Sequence, residues 1–193
     1  MCKFSSDNKA RVGNAILYIA LNVHDANKTK ILKLLYLFEE EMVKKFHIPF
    51  FGIPYFVWVY GPVQNDVFVD LSDGPILFDN YIVKAEDGIF LPNAIFDEDE
   101  FSDAELSIME SVIKEYGCTP AKQLVKFLHK DGSLWHSAAK RHGLLESFNS
   151  GLANNSSIEI DFSELLDEEG KEHYHDTLSM YRTSNEMKIS SYV

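Results

Sequence analysis

Tyr55-Phe56-Val57-Trp58-Val59-Tyr60-Gly61-Pro62-Val63 is the stretch that decides the fold. Its first six residues are aromatic or β-branched and lie between Pro54 and Gly61, which predicts a strand. Gly61-Pro62 breaks that strand. Pro62 also suits the first turn of a helix, where its missing N–H costs nothing. A helix from Pro62 to about Leu71 would bury Val63, Val67 and Leu71, and Asp73-Gly74-Pro75 would stop it.

Before this β-type run the chain reads as helix. Val12, Ile16, Ile19 and Val23 recur at helical spacing over residues 9–23, widened by Leu17 and Ala20. Asp25 to Asn27 make a polar break, and a longer helix runs from about Lys28 to Phe46. Ile31, Leu34, Leu35, Phe38 and Met42 form its apolar face. Glu39, Glu40 and Glu41 followed by Lys44 and Lys45 place i,i+4 pairs on its wet side. Pro49 lies beyond its end.

After it, Tyr81-Ile82-Val83-Lys84 and Ile89-Phe90-Leu91 flank Glu86-Asp87-Gly88, a hairpin signal. A lone hairpin is marginal, so it is expected to join the 55–60 strand in one small sheet. Ser102-Asp103-Ala104-Glu105 is a capping box. The helix behind it carries Leu106, Met109, Val112 and Ile113 and stops at Gly117. Thr119-Pro120 opens another helix as cap and first-turn proline, with Leu124, Val125 and Leu128 on its face. Ser133 caps a third, through about Lys140. Beyond Gly143 the pattern weakens. Asn149 to Ser157 is rich in loop formers, Ile158 to Phe162 alternates like an edge strand, and Ser163 to about Tyr181 reads as an acidic helix. The whole is α+β and mostly helical, a helical bundle with a small antiparallel sheet inserted in the middle.

Composition narrows the function. The 193 residues include 46% hydrophobic and 13% aromatic residues, enough for a core. Thirty acidic residues against eighteen Lys and Arg give a net charge of −12. A nucleic-acid binder needs cations to displace phosphate counterions, so no nucleic-acid partner is expected. A basic protein partner fits better. Residues 51–100 hold ten carboxylates and one cation, Lys84. They are either a solvated face or a docking face. Cys2 and Cys118 are too few for a disulfide framework and read as free thiols. No apolar run is long enough to span a bilayer, and Asp7, Asn8 and Lys9 interrupt any leader-like stretch. A cytoplasmic location is expected, with no membrane partner.

Enzymatic signals are thin. His173 and His175, with Glu169, Glu172 and Asp176, supply metal-ligand types, but i and i+2 on a helix project to different sides. His129 and His136 bracket Asp131 without HExxH spacing and read as helix-terminal cations. Cys118 precedes a helix N-terminus, a place that can activate a thiol, yet it reads more simply as a junction residue. Asp97 to Glu100 are paired carboxylates without a desolvating cleft. No phosphate-binding glycine loop and no G-x-S-x-G occur. Tyr55, Phe56, Trp58 and Tyr60 could stack bases, but cations nearby are lacking, so core and a protein-binding patch are the better readings. No catalytic residue, cofactor or metal is assigned.

Three segments together resemble one family. They are Lys33-Leu34-Leu35-Tyr36-Leu37-Phe38, then Trp58-Val59-Tyr60-Gly61-Pro62-Val63, then Tyr116-Gly117 followed by Leu124, His129, Gly132-Ser133 and Trp135. In that order they resemble the Panacea antitoxin domain, known also from SocA-like and phage-associated proteins. The resemblance spans about residues 10–142. It implies a mostly helical domain with a small sheet, and an antitoxin that neutralises a co-encoded toxin by direct binding. A SocA-like branch delivers its toxin to a ClpXP-type protease, so an adaptor role is the alternative, with Ser190-Ser191-Tyr192-Val193 as a docking tag. A metal-dependent enzyme is the third reading. The chain departs from the pattern at Thr119-Pro120 and in residues 143–193, which the core does not require. It therefore divides into a Panacea-like domain, 1–142, and an acidic C-terminal extension, 143–193, that packs on the domain or docks from it. Lys33, Tyr36, Trp58, Tyr60, Gly61, Pro62, Val63, His129 and Trp135 are the motif residues, expected to be structural first and partner contacts second. Tyr60 and Trp135 are expected to lock the strand-to-helix turn, and Lys33 to sit at a buried rim as an ion-pair partner.

Overall fold

A computed structural model describes residues 6–190. Its centre is α2, Lys28–Phe46. Asn27 caps α2 by accepting the Lys30 N–H at 3.1 Å, and His47 ends it in the left-handed region at φ 59°. The chain then leaves the helix before Pro49 is reached. Buried residues ring α2 rather than lining one stripe, because α1 (Ser6–Asn22), α3 (Asn65–Asp73), α4 (Asp103–Tyr116) and α5 (Ala121–Leu128) all pack on it. A helix surrounded in this way loses its wet face. Glu39 and Glu40 are accordingly buried, against the expectation for residues 39–41. Lys44 still pairs with Glu40 at 2.6 Å and with Glu41 at 2.8 Å, while Lys45 turns over the Phe46 ring.

The β-type run folds differently from its reading. β1 is Phe56–Trp58 and β2 is Gly61–Val63, paired antiparallel with Trp58 opposite Gly61 and Val57 opposite Pro62. Gly61-Pro62 thus belongs to a strand, and the turn is Val59-Tyr60. The proline φ suits a strand as well as a helix, and a missing N–H is tolerated where no ladder bond is required. α3 starts three residues later than expected, capped by the Gln64 side chain, which accepts from Val67 N–H at 2.8 Å.

β3 (Ile82–Lys84) and β4 (Phe90–Pro92) form the second hairpin. Gly88 takes φ +82° in its turn. This hairpin does not join β1 and β2; the two sheets are separate. Its support comes from α1, against which it packs, and from the loop before α2, where the Phe90 N–H donates to Ala26 O at 2.9 Å.

The capping box of α4 is present as read, with Ser102 and Glu105 bonded reciprocally. α5 begins one residue later than expected, with Pro120 as N-cap and no side-chain cap bond. Ser133 caps α6, Leu134–Arg141. A further helix follows that the weak pattern after Gly143 had concealed: α7, Leu144–Asn149. Residues 154–160 run antiparallel along β1, through Val59 N–H to Asn154 O, Val57 N–H to Ile158 O and Ile160 N–H to Tyr55 O. A 3₁₀ turn, Phe162–Leu165, delays the last helix, so α8 spans Glu168–Ser190 rather than starting at Ser163. Phe162 and Tyr174 are buried in the common core. The described residues are 58% helical, with eight helices and two small sheets.

Candidate partner-binding site

α2, the β1–β2 hairpin, α5 and α6 meet around Lys33. Its side chain projects from α2 beneath the hairpin and is only 1% exposed. The Lys33 ammonium donates to the carbonyl of Pro62 at 2.7 Å. Burial lowers its pKa to about 7, because a desolvated ammonium is costly. Among the described residues no carboxylate pairs with it, so the expected ion pair is replaced by a backbone carbonyl. Gly61 lies against this amine at φ +99°. A Cβ there would come within 3.1 Å of Lys33 Cε and 3.5 Å of His129 Nε2. Glycine is therefore required twice, for conformation and for space.

His129 closes the other side as the C-cap of α5. Its ring stacks on Trp135 with centroids 3.7 Å apart and planes 1° from parallel. Its Nε2 is buried without a hydrogen-bond partner among the described residues. Burial first, then the charges of Lys33 and His136, push its pKa down to about 4. His129 is thus helix-terminal as read, but neutral, which corrects its reading as a cation. His136 instead faces Asp131 at 3.1 Å. Trp135 donates its indole N–H to Trp58 O at 2.9 Å. The hairpin is pinned at two carbonyls, Trp58 and Pro62, on either side of its tip.

The remaining motif residues divide. Trp58 packs edge-on to Phe68, and Val63, opposite Phe56, is buried. Tyr36 turns away from the hairpin turn to Tyr55 and Phe162. Burial holds its phenol well above the usual range. Tyr60 is 72% exposed at the tip, so it does not lock the turn; Trp58 and Trp135 do. Tyr60 alone among the nine motif residues is open to solvent.

A second buried polar centre escaped the reading of the residues. Glu39 accepts the Phe50 and Phe51 N–H groups at 3.0 and 2.9 Å. Burial raises its carboxyl to about 7, against the lowering effect of those backbone donors and of Arg11. Arg11 donates to Phe50 O at 3.0 Å and pairs with Glu105. Together they fix the loop between α2 and β1, and Tyr181 of α8 lies over Gly52 in it. The available signal was the three-carboxylate run directly after the unbroken apolar stretch Leu34 to Phe38.

The other candidates lie apart. Asp97 to Asp99 are exposed around a 3₁₀ turn, Glu98–Glu100. Cys118 is exposed between α4 and α5. His173 and His175 sit two apart on α8. Among the described residues, no three His, Cys, Asp or Glu side chains are grouped to hold a metal, and no helix is long and apolar enough to cross a membrane. Ser191, Tyr192 and Val193 of the docking tag fall outside the described residues.

Residues 31–136 match the family model described as antitoxin SocA-like, Panacea domain. No curated protein and no solved structure matches the chain. The matched span begins two residues before Lys33 and ends one residue after Trp135, so it encloses the whole hairpin-pinning cluster.

Proposed function

The chain belongs to the antitoxin SocA-like Panacea domain family, and we propose that it is a non-enzymatic cytoplasmic antitoxin that neutralises a co-encoded protein toxin by binding it. The family match carries this reading. The geometry supports it, because Lys33, Gly61, Pro62, His129 and Trp135 are used to hold a hairpin rather than to line a reactive cleft. A buried neutral histidine stacked on tryptophan is a poor proton shuttle and a good spacer. The charge balance supports a basic toxin. Residues 143–193 are proposed to be an extension that packs on the domain, with 154–160 lying along β1 and Phe162 against Tyr36.

The test is co-expression with the adjacent open reading frame. That frame alone should arrest growth; together with this chain, growth should recover and the two proteins should co-purify. Absence of both toxicity and complex would overturn the proposal. Delivery of the toxin to a ClpXP-type protease is a separable step. If it occurs, removing residues 190–193 should slow toxin turnover while leaving the complex intact.

A further inference from the structure

We infer that the face built by the β3–β4 hairpin and the end of α3 receives the toxin, and that it takes a protein surface with Lys and Arg arranged around an apolar centre. The inference rests on the antitoxin reading above.

Charge points to this face first. Ten carboxylates lie between residues 51 and 100. Among the described residues none of the ten enters a salt bridge, although acids elsewhere do, including Asp25, Glu40, Glu105 and Glu164. Lys84, the single cation of this segment, is used internally and donates to Ser72 O at 2.7 Å. Three of the carboxylates also have internal duties. Asp70 accepts the N–H groups of Ile76, Leu77 and Phe78, Asp87 accepts that of Ile89, and Asp97 that of Asp99. Asp73, Asp79 and Glu86 remain exposed around the hairpin, and among the described residues none forms an ion pair, although Lys28 and Lys84 both donate to Ser72 beside Asp73.

The apolar centre is an independent observation. Val83 and Leu91 stand directly opposite each other on the ladder, 43% and 47% exposed, while Ile82 and Phe90 are buried. Ile76 and Ile95, on the flanking loops, are 80% and 93% exposed. Single exposed hydrophobes are ordinary; a directly opposed cross-strand pair, both exposed, is an apolar spot on the face. Two bonds fix the hairpin to its surroundings: Lys84 ties β3 to the end of α3, and Asn93 Nδ2 donates to Asp79 O at 3.0 Å.

The chemistry of the occupant follows. Unpaired carboxylates attract and orient a basic surface without first breaking an internal pair. The apolar pair at the centre supplies desolvation energy that charge alone does not. The hairpin is also held in advance by Ala26 and α1, so little ordering is required on binding.

The test measures affinity of the full chain for the protein encoded by the adjacent reading frame, at two salt concentrations. D73K/D79K/E86K should weaken binding at least tenfold at low salt, with a smaller loss at high salt. V83S/L91S should weaken it at least tenfold at both, mainly through faster dissociation. C118A, between α4 and α5, should bind like the parent. All three sets lie on exposed positions, and unchanged melting curves would confirm folding. Loss with C118A alone, or wild-type affinity in either of the other variants, would overturn the inference while leaving the antitoxin reading intact. If the parent chain itself captures no toxin, the antitoxin reading fails and this surface falls with it.

Discussion

Replacing Lys33 by Met tests the buried amine directly. The substitution keeps the length of the side chain and removes its charge. Two effects then oppose each other. Loss of the donor leaves Pro62 O unpaired in the interior, which costs roughly 1–3 kcal/mol at any pH. Loss of the charge removes a penalty that depends on pH. The folded-state pKa of Lys33 is about 7, against an ordinary value of 10.5. Below pH 7 the amine is protonated in both folded and unfolded states, and the cost of burying its charge is felt in full. Above pH 7 the folded state releases its proton before the unfolded state does, so stability rises with pH up to about 10.5. The slope approaches about 1.4 kcal/mol per pH unit. Between pH 7 and pH 9 the parent should therefore gain about 2 kcal/mol relative to Lys33→Met. For a chain of this size that is roughly 4–8 °C in melting temperature. Urea denaturation of both proteins at pH 6, 7, 8 and 9 measures it. The variant should be the more stable of the two at pH 6, where the charge penalty outweighs the lost bond, and should lose most or all of that lead by pH 9. A difference that stays flat across the series would refute the argument, because it would mean that Lys33 keeps its proton on folding.

Three further outcomes follow from the same two centres. Gly61→Ala places a Cβ against Lys33 and His129 at φ +99°, and should destabilise by about 1–3 kcal/mol in urea; a change under about 0.5 kcal/mol would contradict the packing. Glu39 has the opposite pH signature to Lys33: its carboxyl is raised to about 7, so the folded state holds a proton the unfolded state has lost, and stability falls as pH rises from 4.5 to 7. Glu39→Gln should lack that fall, which is at most about 3 kcal/mol, and equal pH profiles for the two proteins would rule out a protonated Glu39. The His129 ring should titrate near pH 4 by NMR, and a midpoint at the ordinary 6.5 would show that it is neither desolvated nor near a cation.

The residues that were misread share a cause. Pro62 was expected to open a helix, and its φ and missing N–H fit either state. What places it in β2 is the pairing with Val57 and the Lys33 ammonium on its carbonyl, 29 residues away in sequence. Glu39 was read as solvated because a carboxylate run normally marks a wet face. Only the loop at Phe50 and Phe51, folding back over α2, gives it donors and removes the water. Tyr60 was read as a lock because it is large and sits in the motif, but the two-residue turn points it outward. The separation of the two hairpins was equally hidden, since each strand pattern is compatible with several neighbours and α1 is what the second hairpin packs on.

Sequence alone determined most of the helices and several of their ends, though not the starts of α3, α5 and α8 nor the presence of α7. The bounds of α2, the capping box of α4, the Ser133 cap of α6 and the glycine turn at Gly88 all come from signals within one or two turns of the chain. The ordered motif residues were also enough to name the family. Tertiary structure decided which of those residues became interior and which stayed open. Lys33, Glu39 and His129 are buried, Tyr60 is exposed, and residues 154–160 lie on β1, because of contacts spanning 11 to 99 residues. A local pattern specifies the face a side chain occupies on its own element. Whether that face meets water depends on what packs against it, and those partners come from distant parts of the chain.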